Sequence, residues 1–326
     1  MTKEFQLIEK FFKPLTENHK AAQGLSDDVA RIALKKDEEL VASKDMLVED
    51  VHFLRKNGGF KIASKLLLTN LSDLAAAGAK PLHYMLGFSK NKNTDEVFLR
   101  EFSRGLKHVQ EKFGLRLIGG DTVSAERLFF SVTIFGSVKK GKILSRSQAK
   151  DGDLIFVSGS IGDAGLTHHK NFKNFSEAEK KFLLERHFSP SPRILLGQQL
   201  LKKKLSICAI DVSDGLLSDL RHICQTSKLD AEIHLEKIPC STVVEKILKK
   251  NLALSKLDLL SSGDDYELIF TSPKKNLTKI SDLAKELKLD LTCIGELRAA
   301  ASSTPKITLR DKKNHKIKIK KFGYEH

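Results

Sequence analysis

The rhythm of the apolar segments constrains this chain more than any other feature. Short strand-like runs interleave with amphipathic helices, but the two do not strictly alternate. An opening helix at about 4–13 stops before Pro14, and Leu40-Val41-Ala42-Ser43 reads as a strand. Ile62, Leu66, Leu67, Leu71 and Leu74 recur at helical spacing, which predicts a helix over 61–77 punctuated by Gly78 and Pro81. A second helix at about 95–112 precedes strands at 115–118 and 128–138. Turns at Lys139-Lys140-Gly141 and Asp151-Gly152-Asp153 lead into a strand at 154–158. Ser158 to Asp163 is expected to follow that strand and open a helix. A strand at 207–212 runs into a helix starting near Ser213. Further strands are expected at about 231–236, 266–271, 291–297 and 306–310, with a helix at about 279–288. This order favours an α/β (α+β) chain of two sandwiches over one doubly wound sheet. A length of 326 residues suits two domains, each with its own core. The boundary falls near 140–150, giving an N-terminal domain 1–145 and a C-terminal domain 146–326.

Within that rhythm the aspartates are oddly placed. Asp45 follows the strand 40–43, and Asp121 follows Leu117-Ile118-Gly119-Gly120. Asp211 lies inside Cys208-Ala209-Ile210-Asp211-Val212, and Asp214 begins the next helix. Asp264 and Asp265 follow Ser262-Gly263, while Asp27 and Asp28 sit in an N-terminal loop. An acid in an apolar strand costs several kcal/mol unless its charge is compensated. A hard cation is one solution, since Mg²⁺ takes carboxylate oxygens and keeps sites for water and substrate phosphates. Taken singly, each motif has an ordinary reading. Asp27-Asp28 is a polar turn, Asp73 a solvated helix residue, Gly119–Thr122 a turn with a helix cap, and Asp214 a first-turn acid suited to the helix dipole. Asp211 is the hardest to explain by structure alone, and the motifs together point to metal-assisted chemistry on phosphates.

Other classes fit less well. No G-x-x-x-x-G-K-[ST] phosphate loop occurs, nor the H-R-D and D-F-G pair of protein kinases, nor G-x-S-x-G. The glycines of Ser158–Asp163 match a phosphate loop only loosely. Cys208, Cys224, Cys240 and Cys293 form no C-x-x-C pair and read as buried reduced thiols. The formal net charge of +15 admits anionic substrates, nucleic acid or an anionic surface. The lysines are nevertheless spread along the chain. In the densest run Lys316, Lys318 and Lys320 alternate with Ile317 and Ile319, as on a strand with one solvated face. No aromatics interleave with them, so neither nucleic acid nor a membrane is expected as a partner. No apolar run nears the roughly 18 residues that span a membrane. The opening Met1-Thr2-Lys3-Glu4-Phe5 lacks a signal-peptide core, so a cytoplasmic location is expected.

Read in order, the motifs resemble a known family. They are Ser26-Asp27-Asp28, Ser43 through Phe53, Asn70 through Ala79, and Gly119-Gly120-Asp121-Thr122. In the second half come Ser145-Arg146-Ser147, Pro190 through Arg193, Asp211 through Leu216, Ser262 through Leu268 and Gly323-Tyr324-Glu325-His326. This series is similar to the thiamine-monophosphate kinases over essentially the whole chain. Part of it is shared with the wider aminoimidazole ribonucleotide synthetase-like superfamily. The resemblance implies that superfamily's two-domain fold, with an N-terminal mixed sheet plus helices that binds ATP and Mg²⁺ and dimerises. A C-terminal α/β sandwich would complete the nucleotide and substrate site. It implies ATP as co-substrate, several Mg²⁺ ions, thiamine phosphate as acceptor and a homodimer.

Carried over by motif, Asp28, Ser43, Lys44, Asp45, Asp73, Asp121, Asp211 and Asp214 are the expected metal positions. Gly120, Asp121, Arg146 and Ser213 are expected to contact ATP, and His52, Asp264 and Tyr324 the thiamine phosphate. Asp45, Asp121 and Arg146 would carry the catalysis. The chain departs from the family pattern at Lys44, where Thr is usual, at Asp264 for Glu, at Ser26 and Asp50 for Gly, and at Val123-Ser124-Ala125. Two alternatives stay open: another ATP-dependent enzyme of the superfamily, acting on a formylglycinamidine ribonucleotide or on selenide, and a non-catalytic ATP-binding scaffold.

Overall fold

The computed structural model describes residues 3–250 and 254–324. Met1 and Thr2 of the opening and Glu325-His326 of the last motif lie outside the described residues. The chain divides into two compact units, Met1–Leu74 with Ala79–Gly141 and Ala75–Gly78 with Lys142–His326.

The first unit begins with α1 (Lys3–Leu7), which loosens into a wide turn at Ile8–Phe12 and a tighter one at Lys13–Thr16. Pro14 sits near the start of the tighter turn, where its missing N–H costs no helical bond. Then come β1 (Glu38–Val48), α2 (Gly59–Ala77), β2 (Lys80–Lys90), α3 (Glu96–Phe113), β3 (Arg116–Ser124) and β4 (Phe129–Lys139). Among the described residues these four strands form a sheet in the order β1-β4-β2-β3. The β2–β3 pair is parallel and the others antiparallel, so the sheet is mixed. The end signals of α3 are clear. Asp95 accepts the Phe98 N–H at 2.8 Å, and Gly114 closes the helix at φ 70°. Its inner face buries Phe98, Phe102, Leu106 and Val109. Burial of each such side chain contributes about 1.5–3 kcal/mol. Phe102, Phe88 and Phe130 pack with ring centroids 4.6–5.2 Å apart, which ties α3 to the sheet.

Sequence reasoning missed β2, because Gly78 and Pro81 read only as a stop. The strand tolerates Pro81 because the proline lies at its start, where the register with β4 shifts between Pro81 and His83. β1 and β3 also run further than expected, so Asp45 and Asp121 lie inside strands rather than after them.

The second unit contains β5 (Asp153–Ser158), α4 (Glu177–Phe188), α5 (Ile194–Lys202), β6 (Cys208–Asp211), α6 (Leu216–Ser227) and β7 (Leu229–His234). It continues through α7 (Thr242–Lys250), α8 (Lys256–Leu259), β8 (Leu268–Pro273), α9 (Leu277–Leu287), β9 (Leu291–Ala299), β10 (Ile307–Arg310) and β11 (Lys316–Ile317). Among the described residues the strands form one sheet in the order β11-β10-β7-β9-β5-β8-β6. Its core gathers Ile155, Val157, Ile210, Leu220, Ile269 and Ile294.

Three expectations are corrected here. Ser158–Asp163 does not open a helix. It forms a loop with Gly159 and Gly162 at φ 57° and 91°, and the next α-helix is α4. The helix expected near Ser213 starts at Leu216. The lysine-rich run pairs with β10 only through Leu309↔Ile317 and Arg310↔Lys316. Cys208 and Cys224 are buried, Cys240 and Cys293 half-buried, and all four thiols are free. Among the described residues no helix is long and apolar enough to cross a membrane.

Candidate functional site

In the first unit β1 alternates its faces. Ser43 and Asp45 point one way and Lys44 the other, as the period of two requires. On the first face α2 presents Asn70 and Asp73, which lie three residues apart and so share a side of the helix. Ser43 Oγ donates to Asp73 Oδ2 at 2.5 Å. The Asp45 backbone N–H donates to Asn70 Oδ1 at 3.1 Å, and Asn70 Nδ2 donates to the Leu66 carbonyl. The turn after β1 carries His52, whose Nδ1 accepts the Val48 N–H at 3.1 Å. In the neutral ring the proton therefore sits on Nε2.

On the other face Lys44 Nζ donates to Ser131 Oγ at 2.6 Å. Both residues line a cavity of about 440 Å³ together with Asp27, Asp28, Gly120 and Asp121. A Cβ on Gly120 would lie 2.0 Å from the Leu86 carbonyl oxygen, so only glycine allows β3 this close to β2. Asp121 Oδ1 accepts the Thr122 N–H and Asp27 Oδ1 the Asp28 N–H. Among the described residues no cationic side chain forms an ion pair with Asp28 or Asp121. Carboxylate and hydroxyl oxygens of this kind suit a hard divalent cation. Lys44 fits such a role only through its backbone carbonyl, because a protonated ammonium has no lone pair.

In the second unit Asp211 ends β6 and is 7% exposed. The loop that follows is held by a residue sequence reasoning did not assign. Asp219 Oδ2 accepts the backbone N–H groups of Ser213, Asp214 and Gly215 at 3.0, 3.1 and 3.2 Å. Burial, and then the nearby Asp214 charge, push the Asp219 carboxyl up to about 7. Its sequence setting, Leu216-Leu217-Ser218-Asp219-Leu220, is that of an ordinary first-turn helix acid and gave no signal of this role. Asp214, Asp219 and His222 place ligand-capable atoms within 4.8 Å of one another. His222 is held below its usual value by burial first and then by Arg146 and Arg221. Arg146 itself is exposed, and its carbonyl accepts the Thr226 and Ser227 hydroxyls.

The same loop gathers the expected substrate residues. The Asp264 N–H donates to the Ser213 carbonyl at 2.8 Å, and the Tyr324 N–H to the Asp214 carbonyl at 2.9 Å. Ser213, Asp214, Asp264 and Tyr324 are therefore brought together, with Tyr324 half exposed. Asp264 takes a left-handed φ of 64° and receives the Tyr266 hydroxyl at 3.0 Å. Next to it in sequence comes a buried ionic network whose pairing sequence reasoning did not assign. Glu267, 1% exposed, accepts from Ser158, Arg186 and Arg193. Arg186 also donates to Asp163 at 3.1 Å. Asp265 accepts the Gly162 N–H, and burial pushes its carboxyl well above the usual range. Arg193 was visible only as part of Pro190–Arg193, and Arg186 had no motif.

The fold and these loops define a class, that of the AIR synthase related proteins. The family's N-terminal domain model matches residues 26–138 and its C-terminal domain model residues 150–307. A thiamine-monophosphate kinase of Buchnera aphidicola subsp. Schizaphis graminum is 39% identical over 99% of this chain and 98% of its own length. The crystal structure of the thiamine-monophosphate kinase from Stenotrophomonas maltophilia K279a superposes with a TM-score of 0.82. It is 34% identical and the match covers 94% of this chain and 96% of that one. A structure described as AaThiL complexed with AMPPCP and TMP gives a TM-score of 0.77 at 26% identity, over 99% and 97% of the two chains. The chain belongs to the thiamine-monophosphate kinase family within that class.

Proposed function

We propose that the chain transfers the terminal phosphoryl group of ATP to thiamine phosphate, yielding thiamine diphosphate and ADP. One observation carries the reading: a chain that aligns with a thiamine-monophosphate kinase over 99% of its length places Asp28 and Asp121 beside Gly120 in one cavity, with no ion pair to either acid among the described residues.

The acceptor is a phosphate monoester, largely ionised at neutral pH and already nucleophilic, so no catalytic base is needed. The obstacle is the approach of two polyanions, which makes positioning and charge neutralisation the main demands. Asp28, Asp45, Asp73, Asp121, Asp211 and Asp214, with the Ser43 hydroxyl and the Lys44 carbonyl, are the groups that would hold Mg²⁺. Bound there, the ions would offset charge on the phosphate oxygens. Gly120, held against β2, lines the cavity where the nucleotide would lie, and Ser213 sits on a loop whose amides Asp219 has fixed. The exposed Arg146 supplies a cation for the nucleotide. The Asp264 carboxylate provides a negative partner for the thiazolium ring, with His52 and Tyr324 as further contacts for thiamine phosphate. Catalysis is assigned to Asp45, Asp121 and Arg146.

Two further readings accompany this one. The chain forms a homodimer through its N-terminal sheet, supported by the edge strand β1, whose outward face leaves Leu40 and Met46 42% and 46% exposed. It works in the cytoplasm, where ATP is available. The decisive assay mixes purified protein with ATP, Mg²⁺ and thiamine phosphate and measures thiamine diphosphate. Asp121→Asn and Asp45→Asn should each lower turnover by at least about 100-fold with unchanged far-UV circular dichroism. Near-normal turnover of both variants at saturating Mg²⁺ removes the metal-assisted mechanism. A panel of other phosphate and selenide acceptors tests the remaining superfamily activities. ATP binding without ADP release would leave a scaffold.

A further inference from the structure

We propose that His168, His187 and Asp264 form an inhibitory site for a borderline divalent cation of the Zn²⁺ class. This deepens the substrate role assigned to Asp264 and rests on it for the inhibition, though not for the binding. The ligand-capable atoms of the three side chains all lie within 4.8 Å of one another. His187 Nδ1 is 3.1 Å from Asp264 Oδ2. Two ligands on a metal with bonds of about 2.0–2.2 Å are separated by roughly 2.8–3.6 Å at coordination angles near 90–109°. That pair therefore already has the spacing of one edge of a coordination shell. The third ligand stands close by, since the His168 ring meets the His187 ring edge-on at a centroid distance of 5.0 Å. His168 is exposed at the rim of the cluster, while His187 is 4% exposed.

The other parts of a metal centre are present too. The Tyr266 hydroxyl donates to Asp264 Oδ1, which leaves Oδ2 directed at His187. The Asp264 backbone is pinned through its N–H to Ser213, so the carboxylate is held in place before any ion arrives. The exposed side of His168 leaves room for water to complete the shell. Two imidazoles and one carboxylate suit Zn²⁺, Co²⁺ or Ni²⁺, whereas Mg²⁺ prefers an all-oxygen set. The site thus selects against the metal expected to serve the reaction. An ion bound here occupies the carboxylate that thiamine phosphate needs, so inhibition is competitive with that substrate.

The test titrates the full chain with Co²⁺ in excess Mg²⁺, reading visible d–d absorption, and with Zn²⁺ by calorimetry. One ion per chain is expected. His168→Ala should weaken binding at least about tenfold and keep its Mg²⁺-dependent turnover. His222→Ala, at the other histidine-containing cluster, should bind as the parent does. Zn²⁺ should raise the KM for thiamine phosphate in the parent and in His222→Ala, but not in His168→Ala. No bound ion, equal affinity in His168→Ala, or loss of binding in His222→Ala instead overturns the site. An ion bound through His168 in a chain that makes no thiamine diphosphate would keep the site and remove the kinase reading.

Discussion

Glu267→Gln tests how the second unit is held together. The Glu267 carboxylate is 1% exposed and accepts from Ser158 Oγ at 2.6 Å, Arg186 Nη2 at 3.1 Å and Arg193 Nε at 2.5 Å. The two arginine side chains are only 17% and 18% exposed. An amide of the same shape removes the negative charge and turns an N–H₂ towards guanidinium donors. Removing one member of a buried ionic group costs about 3–5 kcal/mol, because the remaining charges are stranded. The arginine edges still reach some water, which argues for the lower end, about 3 kcal/mol. For a unit of this size, at roughly 2–4 °C per kcal/mol, the expected fall in Tm is about 6–12 °C. Urea unfolding followed by far-UV circular dichroism should show a lower midpoint with an unchanged m-value. The double variant Glu267→Leu/Arg193→Met should recover at least half of the loss, since it removes one of the two stranded charges and leaves the other, Arg186, with Asp163. A single-variant loss below about 1 kcal/mol, or a double variant that costs the sum of the two singles, would refute the argument.

His83 supplies a pH test of the first unit. Burial, then His19 and Arg116, lower its pKa from 6.5 to about 4, and its ring lies 4.8 Å from that of His19. Between pH 6.5 and 4 the unfolded chain binds the proton and the folded chain does not, so this contribution is complete above about 6.5 and is lost as pH falls towards 4. NMR titration should place the His83 midpoint near pH 4, and His83→Gln should flatten the acid limb of the stability curve; a midpoint near 6.5 would contradict the assignment. Gly120→Ala should impair both folding of the β2–β3 pair and ATP binding, because its Cβ would meet the Leu86 carbonyl at 2.0 Å. Isothermal titration with a non-hydrolysable ATP analogue checks the binding, and unchanged affinity in a stable variant would show that β3 can move aside.

Some of this was legible in the sequence for local reasons. α2 and α3 announce themselves through 3.6-residue periodicity, and α3 also through Asp95 and Gly114 at its ends. β2 did not, because its evidence is tertiary. A strand opening on Lys80-Pro81 is stabilised by pairing on both sides with β3 and β4, and no local propensity reports that pairing. The lysine run 316–320 failed in the opposite direction. Its alternation was sound, but β10 offers partners only to Lys316 and Ile317.

The candidate site divides along the same line. Residues that would touch ligand carry unusual local signatures, such as an acid at the end of an apolar strand or beside paired glycines, and these can be read from one sequence. Residues that hold those groups in place do not. Asp219 looks like any first-turn helix acid until its oxygen is seen to collect three loop amides. Arg186 looks like a surface residue of α4 until Asp163 and Glu267 are found on it. Their roles depend on partners 4 to 81 positions away. Asp265 and Glu267 of this network follow Asp264 directly in the chain, and the left-handed Asp264 backbone is itself tied to the Ser213 carbonyl. Glu267 and Arg193 fall inside recognisable motifs, but that they pair with each other and with Arg186 shows only in the fold.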